Sequence, residues 1–111
     1  MEIQQHNHGA VTVLKPIGPL CAEEAGEVKK RTIEASTRNL GRVVLDASAV
    51  PHIDSRGLEV LVEVAEALAQ GGQALKLCGA NDVLREVVEL TDVEPLLEQF
   101  PDVNAAVRSF L

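Results

Sequence analysis

Residues 42–68 read RVVLDASAVPHIDSRGLEVLVEVAEAL, and this stretch decides the fold. It opens with a short, β-branched apolar run, Val43-Val44-Leu45, which is typical of a strand buried on both faces. Pro51 then prevents a simple continuation of that strand. After Asp54-Ser55-Arg56-Gly57 the apolar residues recur at helical spacing, namely Leu58, Leu61, Val62, Ala65 and Leu68, with Glu59, Glu63, Glu66 and Gln70 on another face. The stretch therefore predicts a buried strand, a loop and an amphipathic helix that starts at Ser55.

Asp54 and Ser55 lie where the loop enters this helix. The start of a helix leaves backbone N–H groups unpaired and carries the positive end of the helix dipole. A polar side chain at this position can be a simple N-cap. A phosphate would also be stabilised there. From these residues alone, both a structural cap and a phosphate-accepting site are compatible with the pattern.

The strand Val43–Asp46, the motif Asp54-Ser55-Arg56-Gly57-Leu58 and the amphipathic helix that follows resemble the STAS domain of bacterial anti-sigma factor antagonists. In that family the motif is Asp-Ser-Ser/Thr-Gly-Leu, and the serine directly after the aspartate is phosphorylated by an anti-sigma factor that is also a kinase. The resemblance extends over nearly the whole chain, because the order of elements and the length also fit. It implies an α/β fold in residues 1–111, with a mixed central β-sheet and about four α-helices.

The same resemblance assigns roles to individual residues. Ser55 matches the phosphorylated serine. The partner-binding motif corresponds to Asp54, Ser55, Arg56 and Gly57, of which Arg56 alone differs from the family residue. Gly18 and Leu20 match a second partner-binding segment of the family, which reads Gly-Glu-Leu-Asp.

The chain departs from the family at two places. Its second segment reads Gly18-Pro19-Leu20-Cys21, so both acidic residues are lost. Recognition by the usual partner in the usual way therefore does not follow from the resemblance. Arg56 stands where the family has a second Ser or Thr. It could neutralise a phosphate on Ser55 or contact the partner, or it could be a solvent-exposed side chain. Gly57 could let a partner approach the backbone, or it could be a tolerated first-turn glycine.

The resemblance implies a partner-switching protein of a bacterium. Unphosphorylated, it would bind an anti-sigma factor that is a serine kinase, and phosphorylated it would release that partner. One alternative is a STAS interaction module in a stress-signalling or lipid-transport complex. Another is a small-ligand-binding domain. The sequence leaves the oligomeric state open.

Composition excludes other classes of function. The formal net charge is −7, whereas a nucleic-acid surface needs a basic patch. The chain has no Trp or Tyr and only two Phe residues, so it offers no base-stacking platform. No apolar run reaches membrane-span length and the N-terminus lacks a signal pattern, so we expect a cytoplasmic location without membrane contact.

We expect neither enzyme activity, nor a metal, nor another cofactor. Ser55 lacks the first glycine of a Gly-x-Ser-x-Gly elbow, and no phosphate-binding loop is present. The histidines lack helical metal-ligand spacing. Cys21 and Cys78 belong to no Cys-x-x-Cys pair, which is typical of small core residues.

The remaining elements follow from periodicity and breakers. Strands are predicted at Glu2–Gln5 and Ala10–Lys15 around a turn at Asn7-His8-Gly9, with the second strand ended by Pro16 to Pro19. A helix is predicted at 22–39, and a strand at 74–78 that is parallel to the strand at 42–46. A short helix capped by Asn81 or Asp82 follows, and the segment after it is predicted to end at Glu94-Pro95. The last two predicted elements are a strand at 96–100 and a helix from Pro101-Asp102 through Phe110.

Overall fold

The computed structural model describes residues 1–92 and 96–111. Its elements in chain order are β1 (Glu2–His8), β2 (Val11–Ile17), α1 (Ala22–Arg38), β3 (Val43–Asp46), α2 (Ser55–Gln70), β4 (Leu75–Cys78), α3 (Asp82–Glu89), β5 (Leu97–Phe100) and α4 (Val103–Arg108). The predicted ending at Glu94-Pro95 lies outside the described residues.

The strands form one mixed sheet in the order β1-β2-β3-β4-β5. β1 pairs antiparallel with β2, and β2 to β5 are parallel neighbours. In the β3–β4 pair, Val44 lies opposite Lys76 and Leu45 opposite Leu77. The predicted mixed α/β architecture, with these two strands adjacent, parallel and inside the sheet, is confirmed.

Helices cover both faces of the sheet. On one face α1, α2 and α3 pack on the main core, to which the sheet contributes Leu14, Val43, Leu45, Leu75, Leu77 and Leu97. On the other face Val11, Val13, Val44 and Cys78 meet Ala106 of α4. Alternate residues of each strand thus enter opposite cores, which explains why β3 is an unbroken apolar run.

The α4 side of the sheet also contains polar groups. Lys76 pairs with Glu98, with 2.6 Å between Nζ and Oε1, and its ammonium lies 4.7 Å from the centre of the Phe110 ring. Burial, followed by the nearby carboxylates of Asp46 and Asp102, raises the pKa of the Cys78 thiol to about 12. Cys78 is therefore a protonated core residue at neutral pH.

The first two strands are longer than predicted. β1 continues through Asn7 and His8, so the turn lies at Gly9–Ala10 and the prediction that all of Asn7-His8-Gly9 forms the turn is wrong. β2 continues through Pro16 and Ile17. The parallel pairing with β3 ends at Leu14. Proline can therefore occupy position 16, because β3 needs no N–H donor there.

The apolar face of α2 is centred differently from the prediction. Leu61, Ala65 and Leu68 are buried as predicted, but Leu58 and Val62 are only half-buried. Val60 and Val64, which the prediction did not place on the buried face, are buried instead. The reason is that α2 packs along α1 as well as on the sheet, which rotates the buried arc towards α1.

The ends of the later elements shift by small amounts. Asn81 is the N-cap of α3, because its side chain accepts a hydrogen bond of 2.8 Å from the Leu84 N–H. Asp102 does the same for α4 through the Ala105 N–H, so that helix begins at Val103 and ends at Arg108, before the predicted Phe110.

Leu61→Ala tests the packing of α2. Leu61 is 1% exposed, so we expect the substitution to lower the free energy of unfolding by about 2–5 kcal/mol, the range for a buried leucine. Leu40→Ala is the matched control, because Leu40 is 73% exposed. Denaturant titration measures both, and a loss below about 0.5 kcal/mol for Leu61→Ala, the size of a surface effect, would contradict this packing.

Candidate functional site

Two loops that are distant in sequence meet at the carboxyl ends of β2 and β3. Leu20 and Ile53 form a parallel bridge, in which the Leu20 N–H donates to the His52 carbonyl at 3.0 Å and the Asp54 N–H donates to the Leu20 carbonyl at 3.3 Å. The Gly18 N–H donates to the Ala49 carbonyl at 3.0 Å. The segment Gly18–Cys21 thus lies beside the start of α2.

Asp54 caps two helices with one carboxylate. Its Oδ1 accepts a hydrogen bond of 2.8 Å from the Gly57 N–H at the start of α2, and its Oδ2 accepts one of 3.3 Å from the Ala22 N–H at the start of α1. Cys21, the N-cap residue of α1, makes no side-chain cap of its own. Both helix dipoles place positive charge near this carboxylate. We call these two bonds the Asp54 bridge.

Gly57 allows α2 to approach the other loop closely. A Cβ atom at this position would lie 2.0 Å from the Leu20 carbonyl oxygen and 2.6 Å from Cγ1 of Ile53. Both distances are far below van der Waals contact, and the nearer atom belongs to the backbone. Gly57 is buried, so the backbone that approaches it is that of Leu20 in the same chain.

Ser55 is the first residue of α2 and is exposed. Among the residues that the structure describes, its hydroxyl forms no hydrogen bond, because Asp54 already caps the helix. Its side chain is therefore free to react, while its backbone is fixed in a helix of 16 residues. Of the two polar residues where the loop enters α2, Asp54 is the N-cap.

Arg56 points away from Ser55 towards α1. Its Nη1 pairs with Oε1 of Glu59 and lies 3.4 Å from Oε1 of Glu63. Glu63 in turn pairs with Lys29 of α1 at 3.3 Å. Neighbouring residues on a helix project in different directions, so Ser55 and Arg56 lie on different sides of α2. These side chains are 34–60% exposed, so each pair contributes at most about 1 kcal/mol.

A STAS domain family model matches residues 2–106 of the sequence. The chain belongs to the STAS domain family. No curated protein matches the sequence.

Solved structures of other proteins have a similar fold. TM1081 of Thermotoga maritima, a candidate anti-sigma factor antagonist, is 22% identical with a TM-score of 0.85, and the match covers 96% of this chain and 92% of that one. SpoIIAA of Bacillus, in its phosphorylated form, is 14% identical with a TM-score of 0.73, over 97% of this chain and 99% of that one. The murine anion transporter Slc26a9 is 15% identical with a TM-score of 0.74, over 95% of this chain and 18% of that one. At these identities the likeness shows the fold.

The residues that the motif predicts for partner binding differ in exposure. Asp54 and Ser55 are exposed, and Arg56 and Gly18 are partly exposed. Leu20 is 3% exposed, and its side chain belongs to the main core. Gly57 is also buried. In this STAS domain, Leu20 and Gly57 thus shape the site from within.

A shallow hollow of about 320 Å³ adjoins Gly18 and brings in residues that the sequence did not point to. Its lining includes Cys21, Glu24 and His52. Glu24 supplies an acidic side chain although Gly18–Cys21 contains none. Its place in the first turn of α1 is the signal that could have indicated it, because that turn starts beside Leu20.

In residues 1–92 and 96–111, no group of three or more His, Cys, Asp or Glu side chains is arranged to hold a metal ion. No helix in the same residues combines the length and apolar character that a membrane crossing requires.

Gly57→Ala tests the close approach of the two loops. We expect the substitution to lower the free energy of unfolding by about 1–3 kcal/mol, because the added methyl group overpacks the contact with Leu20. Gly26→Ala is the matched control, because Gly26 lies in a helix and a Cβ there meets no atom within 4 Å. That control should gain about 0.5–1 kcal/mol. Equal effects of the two substitutions in denaturant titration would contradict the packing described.

Proposed function

We propose that this STAS domain is an anti-sigma factor antagonist that acts by phosphorylation-controlled partner switching at Ser55. Unphosphorylated, it binds a protein partner, an anti-sigma factor with serine kinase activity, through the surface around Asp54 and Ser55. Phosphorylated, it releases that partner. The observation that carries the proposal is the exposed Ser55 hydroxyl, unbonded among the described residues, on a helix start that Asp54 already caps.

The position of Ser55 suits a phosphate that leaves the fold intact. A phosphoserine carries about 1.5–2 negative charges at neutral pH. At the first residue of α2 that charge lies at the positive end of the helix dipole, which stabilises it. Asp54 keeps its bonds to Gly57 and Ala22, because Ser55 takes no part in them.

The same phosphate is unfavourable inside an interface. It must lose its bound water when the partner covers it, and this desolvation costs free energy. A penalty of about 1.4 kcal/mol lowers affinity tenfold, and desolvation of a phosphate readily exceeds it. Phosphorylation therefore acts on binding while the domain stays folded.

Substitutions of Ser55 test the switch. Ser55→Ala should accept no phosphate at this position and bind the partner permanently, because the hydroxyl is not part of the helix cap. Ser55→Asp should bind the partner weakly, because it places a negative charge at the interface, and should melt close to wild type. The measurement combines kinase and ATP incubation, phosphate mapping by mass spectrometry, and affinity before and after.

Ser48→Ala is the matched control, because Ser48 is also exposed and lies in the loop between β3 and α2. It should be phosphorylated at Ser55 at the wild-type rate. Phosphate at another residue, or equal affinity of the two forms, would overturn partner switching and favour a STAS module that acts by docking alone. The occurrence of this fold within a much longer transporter chain makes that the second candidate.

Arg56→Ser tests the departure from the family motif. The substitution removes the ion pairs with Glu59 and Glu63, and we expect it to change partner affinity or the phosphorylation rate of Ser55. Stability should stay within about 0.5 kcal/mol, as for most exposed sites. Arg108→Ser is the control, because Arg108 is exposed on α4, on the opposite face of the sheet. If Arg56→Ser and Arg108→Ser leave binding and phosphorylation kinetics equally unchanged, Arg56 has no role in the switch.

A further inference from the structure

Helix α3 exposes large apolar side chains on a second side. Leu84 and Val88 are buried and hold α3 to the sheet. Val83 is nevertheless 65% exposed, Leu90 at the end of the helix is 83% exposed, and Val87 is half-buried between them. The spacing i, i+4 and i+7 places these three on one side. The contact of α3 with the sheet does not require this second apolar side.

The contact between α1 and α2 indicates which neighbour the second apolar side of α3 faces. Lys29 of α1 pairs with Glu63 of α2, and these two residues mark the facing sides of the two helices. Lys29 directly follows the buried Val28, whereas Glu63 directly precedes the buried Val64. The helices α1, α2 and α3 follow successive parallel strands and cover the same face of the sheet. We therefore expect α2 and α3 to face each other as α1 and α2 do: the first helix through residues that directly follow buried ones, and the second through residues that directly precede them.

The side of α2 that faces α3 therefore carries the residues that come directly after buried residues in the sequence. These are Leu58 after Gly57 and Val62 after Leu61, both half-buried. The side of α3 towards α2 carries the residues that precede buried positions, namely Val83 and Val87. We call Leu58, Val62, Val83, Val87 and Leu90 the α2–α3 strip. Leu58 and Val62 pack partly on the main core, whereas Val83 and Leu90 are exposed, so the strip is partly open to solvent.

The charges beside the strip are acidic. Glu66 lies one turn beyond Val62, and Glu86 lies one turn beyond Val83. Both are exposed, and neither has an ion-pair partner in residues 1–92 and 96–111. The cations of the two helices are Arg56, which is turned towards α1, and Arg85, which pairs with Asp82.

We propose that the α2–α3 strip docks an amphipathic helix of the protein partner, one whose apolar stripe is flanked by Lys or Arg. Apolar anchors at helical spacing fit an exposed apolar strip, and the basic flanks match Glu66 and Glu86. This assignment of a partner surface rests on the proposed function. Ser55 lies one turn before Leu58, so a helix docked on the strip leads the partner to the serine.

The strip and the phosphate act on separate parts of the interface. Glu66 lies eleven residues beyond Ser55 on α2, which corresponds to about 16 Å along the helix axis. This distance exceeds the screening length of about 8 Å at physiological ionic strength. A phosphate on Ser55 therefore acts on the partner at the start of α2 and is screened from the basic residue that faces Glu66.

The test uses an 18-residue peptide of leucine and lysine with leucine at i, i+3, i+4 and i+7. Its control is a scrambled peptide of the same composition, which has no apolar stripe. In methyl-detected NMR we expect the first peptide to shift the signals of Val62, Val83, Val87 and Leu90. The scrambled peptide should bind at least about tenfold more weakly, because it cannot present its leucines on one side. Shifts outside the strip, or equal binding of the two peptides, would overturn the proposal.

Substitutions in the chain make the test specific. The double variant Val83→Asp with Leu90→Asp should lower peptide affinity about tenfold or more, because it puts charge on two apolar anchors. The control Leu40→Asp with Leu111→Asp adds the same charge at two other exposed leucines and should bind like wild type. Equal affinities of the two double variants would refute docking on the strip.

A charge reversal gives a second readout that leaves the core untouched. Glu86→Lys should weaken peptide binding several-fold relative to Glu27→Lys, which is exposed on α1. Equal effects of the two would count against the acidic flank. None of these measurements involves Ser55, so a failure here leaves partner switching standing. Conversely, a failure of the phosphorylation test leaves the docking result intact.

Discussion

The carboxylate of Asp54 is the contact on which the candidate site depends. It ties the first turn of α2 to the first turn of α1, although Ala22 and Asp54 are 32 residues apart in the sequence. Ala22 enters its helix with a φ of 48°, and Cys21 offers no cap, so α1 relies on the distant aspartate for a side-chain acceptor. The Leu20 carbonyl completes the arrangement, because it accepts the Asp54 N–H and leaves room only for a glycine at position 57. The serine between Asp54 and Gly57 is thus held on a rigid part of the chain.

The two sides of α2 have different tasks in this account. The side towards α1 is used inside the molecule, where Arg56, Glu63 and Lys29 form a chain of ion pairs between the helices. The other side carries Ser55, Leu58 and Val62 and is left partly exposed. In the proposed function, the Ser55 hydroxyl is the switch and the apolar surface on the same side of α2 is the place of contact for the partner.

The sequence predicted the elements where a local pattern determines them. The apolar run of β3 and the periodicity of α2 were sufficient, because both signals depend on neighbouring residues. The residues that sequence reasoning misplaced depend on contacts with distant parts of the chain. Val60 and Val64 are buried because α1 lies beside them, and β2 passes through Pro16 because its pairing with β3 has already ended.

The candidate site follows the same division. The motif located Asp54 and Ser55 at the start of α2, and local rules for helix ends predicted a cap there. The need for a glycine at position 57 could not be predicted from the local sequence, because the atom that excludes a side chain belongs to Leu20, 37 residues earlier. The second bond of Asp54 and the position of Glu24 beside the hollow likewise depend on how α1 is placed.

The central claim is that phosphate on Ser55 changes binding while the Asp54 bridge stays closed. Native-state amide hydrogen exchange, measured by NMR on the unphosphorylated and phosphorylated domain, tests this most directly. We expect the Gly57 and Ala22 N–H groups to keep the same protection in both forms, while partner affinity falls at least about tenfold, a change of about 1.4 kcal/mol. Loss of protection at these two amides on phosphorylation would contradict it, because the switch would then act by opening the fold at the start of α1 and α2.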